Sequence, residues 1–126
     1  MKKTRVIYHP NYTIAPVDER LFVVFLEHMG RAVYEGVFDP KCAHADENGF
    51  RQDVLAALRK QRYTAMRYPG GNFASGYHWL DGIGPREQRP PIRELAWQSL
   101  EPNQFGTDEY IQMARQMGWT PMITVN

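Results

Sequence analysis

Leu21-Phe22-Val23-Val24-Phe25-Leu26 is a continuous apolar run of strand length that stops at Glu27-His28. No polar residue alternates within it, which predicts a strand covered on both faces, as in a parallel sheet. A different period follows. After Asp46-Glu47-Asn48-Gly49, the residues Phe50, Val54, Leu55 and Leu58 recur at helical spacing and predict an amphipathic helix from Phe50 to Arg62. Tyr63-Thr64-Ala65-Met66-Arg67-Tyr68 predicts a second strand, closed by Pro69, which has no N–H to give a ladder. A second helix is predicted over Thr107–Met117, with Ile111, Ala114 and Met117 as its apolar stripe. Thr107 is its expected N-cap, Asp108 and Glu109 suit its positive end, and Gly118 is its expected C-cap. Thr120-Pro121-Met122-Ile123-Thr124-Val125-Asn126 predicts a third strand.

Between these elements, residues 29–49 read as loop, punctuated by Gly30, Gly36, Pro40 and Gly49. A stretch of about 35 residues joins the second strand to the second helix; such lengths without structure of their own are uncommon and usually functional or disordered. Its Tyr77, Trp79 and Trp97 argue for order. Ahead of the first run, residues 4–15 predict a short strand and turn, ended by Pro16 and Asp18-Glu19-Arg20. The order strand, helix, strand, helix, strand implies a parallel sheet with right-handed crossovers. Polar groups gather after each strand: Glu27 and His28, then Asn72, then Asn126. This is the layout of an α/β fold of the (β/α)8 TIM-barrel type, with its site at the carboxyl ends of the strands. An open doubly wound sheet would read similarly, but no glycine fingerprint follows the first strand, so no dinucleotide site is expected. Such a barrel takes ~250 residues, against 126 here. The expectation is therefore the N-terminal part of a barrel over 17–126, cut after its third strand. That strand would have a bare edge and one bare face.

Composition narrows the function classes. Apolar residues make up 43% of the chain, which excludes a disordered composition. The net charge of +1, with acids and bases interspersed, argues against a nucleic-acid partner. The single cysteine, Cys42, excludes an internal disulfide, and no Cys/His signature surrounds it. No apolar run approaches the ~20 residues that span a bilayer, and Thr4–Pro10 is no signal-peptide core. No membrane partner and a cytoplasmic location are expected. His9, His44 and His78 lack metal-ligand spacing, so neither a metal nor a cofactor is expected.

Several runs carry a family resemblance: Glu27-His28-Met29-Gly30-Arg31-Ala32-Val33-Tyr34, Ala45-Asp46-Glu47-Asn48-Gly49-Phe50-Arg51 and Arg67-Tyr68-Pro69-Gly70-Gly71-Asn72-Phe73. They continue through Ser75-Gly76-Tyr77-His78-Trp79, Asp81-Gly82-Ile83-Gly84-Pro85, Leu95-Ala96-Trp97-Gln98-Ser99 and Asn103-Gln104-Phe105-Gly106-Thr107-Asp108-Glu109. In this order and spacing, from Asp18 onward, the chain resembles the α-L-arabinofuranosidases of glycoside hydrolase family 51. The resemblance implies a (β/α)8 catalytic barrel beside a β-sandwich to which residues 1–16 contribute a strand. It implies retaining removal of terminal arabinofuranose from arabinan, arabinoxylan or arabino-oligosaccharides, without metal, by an intracellular homo-oligomer, often a hexamer. In the family the acid/base and nucleophilic glutamates follow the fourth and seventh strands. None of the residues here is therefore expected to be catalytic, and the chain alone is expected to be inactive. A retaining site needs both carboxyls ~5 Å apart. The chain departs from the family pattern at Val23-Val24, where relatives commonly carry glycine and a small or polar residue.

The resemblance also assigns substrate-binding residues. Glu27 would accept bonds from sugar hydroxyls, Asn72 would donate and accept among them, and Trp97 would wall the sugar with its flat face. Arg67 would support the nucleophile from the rest of the barrel and would lack its partner here; Gly71 and His28 would support the site, His28 by orienting neighbours. The residues alone leave plainer readings open: Glu27 in an ion pair, Asn72 as a turn residue beside Gly70-Gly71, Trp97 as a loop anchor. Two other functions stay open: a non-catalytic fragment acting only with a complementary half-barrel, and a related barrel glycosidase of different specificity.

Overall fold

The computed structural model describes residues 2–126; Met1, the first residue of the expected sandwich segment, lies outside the described residues. In chain order the elements are β1 (Val23–Phe25), α1 (Gln52–Lys60), β2 (Ala65–Tyr68), α2 (Asn72–Ser75), β3 (Ile92–Arg93), β4 (Leu100–Glu101), α3 (Thr107–Met117) and β5 (Thr120–Ile123). β1, β2 and β5 form a parallel sheet in the order β1-β2-β5, as alternation with helices implied. β3 and β4 pair as a separate antiparallel hairpin.

The first strand is shorter than its apolar run. Asp18 accepts the Arg20 N–H at 2.9 Å and starts a 3₁₀ turn over Glu19–Leu21, which consumes the front of the run. The strand's expected double cover is also absent among the described residues. Alternation sends Val24, Leu26, Met66 and Tyr68 into the helix-covered core, with Leu55, Phe105, Tyr110, Met113 and Trp119. Phe25, Arg67 and Met122 share the other face by register, where Phe25 is 47% and Met122 40% exposed.

α1 starts later than expected because Asp46 holds the turn before it. Its Oδ1 accepts the N–H groups of Asn48 and Phe50, and Phe50 bridges to Phe38 as extended chain. α3 has the expected bounds, but Gly106 rather than Thr107 is its N-cap, and Glu109 reaches back to accept the Gly106 N–H at 2.7 Å. Its buried stripe centres on Tyr110, Met113 and Ala114, with Ile111 and Met117 only partly buried beside it. Gly118 ends it at φ +70°, a left-handed cap that suits glycine. Tyr110 stacks on Tyr68 with ring centroids 4.7 Å apart. The Tyr110 hydroxyl donates to the Met66 carbonyl at 2.6 Å and accepts the Met122 N–H at 2.7 Å. It thus occupies a rung between β2 and β5 where a backbone bond would otherwise run.

The long connection is ordered, as its aromatics suggested, but by polar brackets as much as by aromatic burial. Arg89, buried, donates to the carbonyls of Gly84 and Asn103 and to both oxygens of Glu109. Tyr77 is buried as expected of an anchor, whereas Trp79 is 51% exposed and does not fill that role. Residues 2–17 are exposed and form no strand among the described residues, so the strand expected over 4–15 is not made; a lone strand has no ladder to satisfy it.

Candidate functional site

The carboxyl ends of β1 and β2 lie side by side, tied by the bonds from Leu26 N–H to Arg67 O (2.9 Å) and from His28 N–H to Pro69 O (3.3 Å). Glu27 and Gly70-Gly71-Asn72 therefore meet at one rim. Glu27 Oε1 accepts the N–H groups of Gly71 and Phe73, both at 3.0 Å, so one oxygen clamps the backbone on either side of Asn72. Among the described residues Oε2 accepts no hydrogen bond, and no cation pairs with Glu27. The ion-pair alternative is thereby set aside.

Gly70 is the glycine this contact requires. Its φ is +136°, and a Cβ there would run into the Glu27 side chain. Gly71 serves through its N–H; a Cβ on it would stand 3.8 Å from the Phe25 ring, at ordinary contact distance. Asn72 is exposed and opens α2 as its first residue, rather than sitting in the preceding turn. It lines an open hollow of about 310 Å³ with Ser75, Gly76, Leu95 and Ala96, near the lower bound of small-molecule sites (~300 Å³).

Leu95 and Ala96 belong to the tip of the β3–β4 hairpin, which also carries Trp97; neither Trp97 nor Glu27 lines this hollow. Trp97 is 39% exposed, which disfavours a buried anchor. Its N–H donates to Glu94, whose carboxylate also accepts from the N–H groups of Ala96 and Ser99 and from the Ser99 hydroxyl. Burial opposes ionisation of Glu94, but these four bonds outweigh it and hold its carboxyl below the usual range.

Arg67 lies on the uncovered sheet face. Its Nε donates to Thr124 Oγ1 at 2.8 Å, and the guanidinium sits 4.8 Å from the Phe25 ring centre. His28 turns the opposite way, into the core. Its ring stacks on Phe73 at 4.4 Å, Nε2 lies 2.9 Å from the Tyr68 hydroxyl, and Nδ1 lies 2.8 Å from Glu101 Oε2, off the axis of a linear hydrogen bond. An orienting role by hydrogen bonding fits this setting.

The sequence reading missed Glu101 and Tyr34. Glu101, buried, accepts the Tyr34 hydroxyl and the Asn103 N–H (2.8 Å) on Oε1 while facing His28 with Oε2. Burial, reinforced by the Glu101 charge, pushes the Tyr34 phenol well above its ordinary range. The available signal was general: a long ordered connection needs buried acceptors for its backbone, and Glu94, Glu101 and Glu109 are the acids that supply them. No group of three or more His, Cys, Asp or Glu that could hold a metal occurs among the described residues, and no helix there is long and apolar enough to cross a membrane.

Residues 57–126 match the family model described as Alpha-L-arabinofuranosidase 1 domain. Alpha-L-arabinofuranosidase C of Emericella nidulans is 48% identical over 118 residues, covering 94% of this chain and 23% of that protein. Intracellular exo-alpha-(1->5)-L-arabinofuranosidase 1 of Bacillus subtilis is 48% identical over 126 residues, covering 100% of this chain and 25% of that protein. The solved family 51 alpha-L-arabinofuranosidase from Bifidobacterium longum superposes with a TM-score of 0.85 at 51% identity, over 87% of this chain and 22% of that one. The chain thus spans about a quarter of the length of the curated relatives it matches.

Proposed function

The chain belongs to the α-L-arabinofuranosidases of glycoside hydrolase family 51, and from that premise we propose that it supplies the arabinose-gripping rim of such an enzyme. In this reading the parallel sheet is the opening part of a (β/α)8 barrel, and residues 1–16 join a β-sandwich beside it. The whole enzyme removes terminal arabinofuranosyl units from arabinan, arabinoxylan or arabino-oligosaccharides with retention. It works in the cytoplasm as a homo-oligomer, and the catalytic glutamates come from the rest of the barrel.

One observation carries the reading: Glu27 spends one oxygen on Gly71 and Phe73, on either side of Asn72 in the chain, and keeps the other unengaged. A carboxylate anchored by two N–H groups is oriented in advance, and its second oxygen can accept from neighbouring hydroxyls without reorganising. The Asn72 amide adds a donor and an acceptor, and Trp97 offers a flat apolar face from the hairpin tip. Arg67 reaches the inside of the closed barrel and supports the nucleophile there. His28 and Gly71 hold the rim in place.

The chain continued through its downstream residues should hydrolyse 4-nitrophenyl α-L-arabinofuranoside, and the 126 residues alone should not. Far better cleavage of another aryl glycoside by the continued chain would overturn the specificity. A second reading, that the segment acts only through association with the complementary part of a barrel, draws on the half-exposed Phe25 and Met122. A compact, monodisperse monomer with dispersed NMR signals would count against it.

A further inference from the structure

We propose that Glu101 is a positioning residue for sugar binding, locking the Trp97 hairpin to the Glu27–Asn72 rim through His28; the inference rests on the arabinose-gripping reading above. The two halves of the proposed grip come from segments far apart in sequence. Glu27 and Asn72 follow β1 and β2, while Trp97 rides on the β3–β4 hairpin. The backbone pairing of β3 runs only to β4, so that ladder does not fix the hairpin against the sheet. Glu101, at the end of β4, supplies a fixed point. Its side chain and that of His28 are 3% and 2% exposed, and Nδ1 and Oε2 meet at 2.8 Å.

From His28 the contact reaches the rim by two routes. The backbone N–H of His28 is bonded to Pro69 O, immediately before Gly70. The ring stacks at 4.4 Å on Phe73, whose own N–H is held by Glu27 Oε1. Glu101, His28, Phe73 and Glu27 thus form one chain of contacts from the hairpin base to the carboxylate that faces the sugar. Glu101 Oε2 faces Nδ1 from one side of the ring, and the Tyr68 hydroxyl, which also donates to the Phe105 carbonyl at 3.3 Å, meets Nε2 from the other, so the ring is held between the hairpin base and β2. A shifted ring would displace Phe73 and release the clamp that aims Glu27.

The test uses the chain continued through its downstream residues, with 4-nitrophenyl α-L-arabinofuranoside as substrate. Glu101→Gln keeps an oxygen for Tyr34 and Asn103 but sets an amide against His28. It should raise KM roughly ten-fold with little change in kcat, the mark of lost uniform binding, and ¹⁵N NMR should show altered ring-nitrogen shifts at His28. Tyr34→Phe removes a different bond to Glu101 and should leave KM and the His28 spectrum as in the parent. An unchanged KM in Glu101→Gln, or a KM rise in both variants that merely follows their loss of thermal stability, would overturn the proposal. A parent protein inactive on this substrate would instead defeat the arabinofuranosidase reading, a result distinct from an active parent indifferent to residue 101.

Discussion

Two buried or half-buried carboxylates, Glu109 at the foot of the long connection and Glu27 at the rim, use the same kind of donor to different ends. Glu109 is saturated. Its oxygens accept from Arg86, from both ends of the Arg89 guanidinium, and from the Gly106 N–H. Burial works against its charge, yet the bonds from Arg89, Arg86 and Gly106 prevail and keep its carboxyl below the usual range. Glu27 is half used, with two N–H groups on one oxygen and none on the other. A charge whose bonding demand is met inside the protein is architecture; one left partly unmet at an accessible edge retains its demand for a ligand.

The contrast predicts unequal consequences. Glu109→Ala leaves buried Arg89 with only the exposed Asp108, 3.9 Å away, as counter-charge and should lower the unfolding free energy by about 3–5 kcal/mol in urea titrations. A loss under ~1 kcal/mol would show that the saturated carboxylate is not structural. Gly70→Ala forces a side chain into positive φ and into Glu27, and should cost about 1–3 kcal/mol by thermal melting. Acid comes next. Glu109 and Glu94 have folded pKa values below those of the unfolded chain, so their contribution is complete above ~4.3 and is lost as pH falls through the depressed values. Urea midpoints should therefore hold from neutrality to about pH 5 and decline below it, and Glu109→Gln should flatten that decline. Glu27→Gln keeps an acceptor for Gly71 and Phe73 and should change stability by less than ~1 kcal/mol. Its effect should appear in arabinose affinity instead, measured calorimetrically on the continued chain. A large stability loss there would erase the distinction between the two acids.

The legible parts of the fold were those with local causes. α3 follows from its periodicity and from Gly118, and β2 ends where Pro69 forbids a further rung. The strand–helix alternation was enough to imply a parallel sheet. β3 and β4 have two residues each, too few to display a period of two, and α2 has four, little more than one turn. The cap of α3 was misplaced by one position because Glu109 does the capping from inside the helix. At the rim, strand ends and motif drew attention to Glu27, Asn72 and Trp97. Glu101 escaped because its partners, His28 and Tyr34, lie 73 and 67 residues away and no local pattern joins them.

The tyrosine hydroxyl between β2 and β5 makes the third strand answer to the helix before it. A parallel edge strand could slide by two residues and still present the same side chains inward. Here a sliding β5 would meet Tyr110 with the wrong amide, leaving a donor and an acceptor stranded in an apolar layer. Alignment of the sheet is thus keyed by one phenol delivered from α3, and Tyr110→Phe would loosen the strand's address while leaving the ring packing intact.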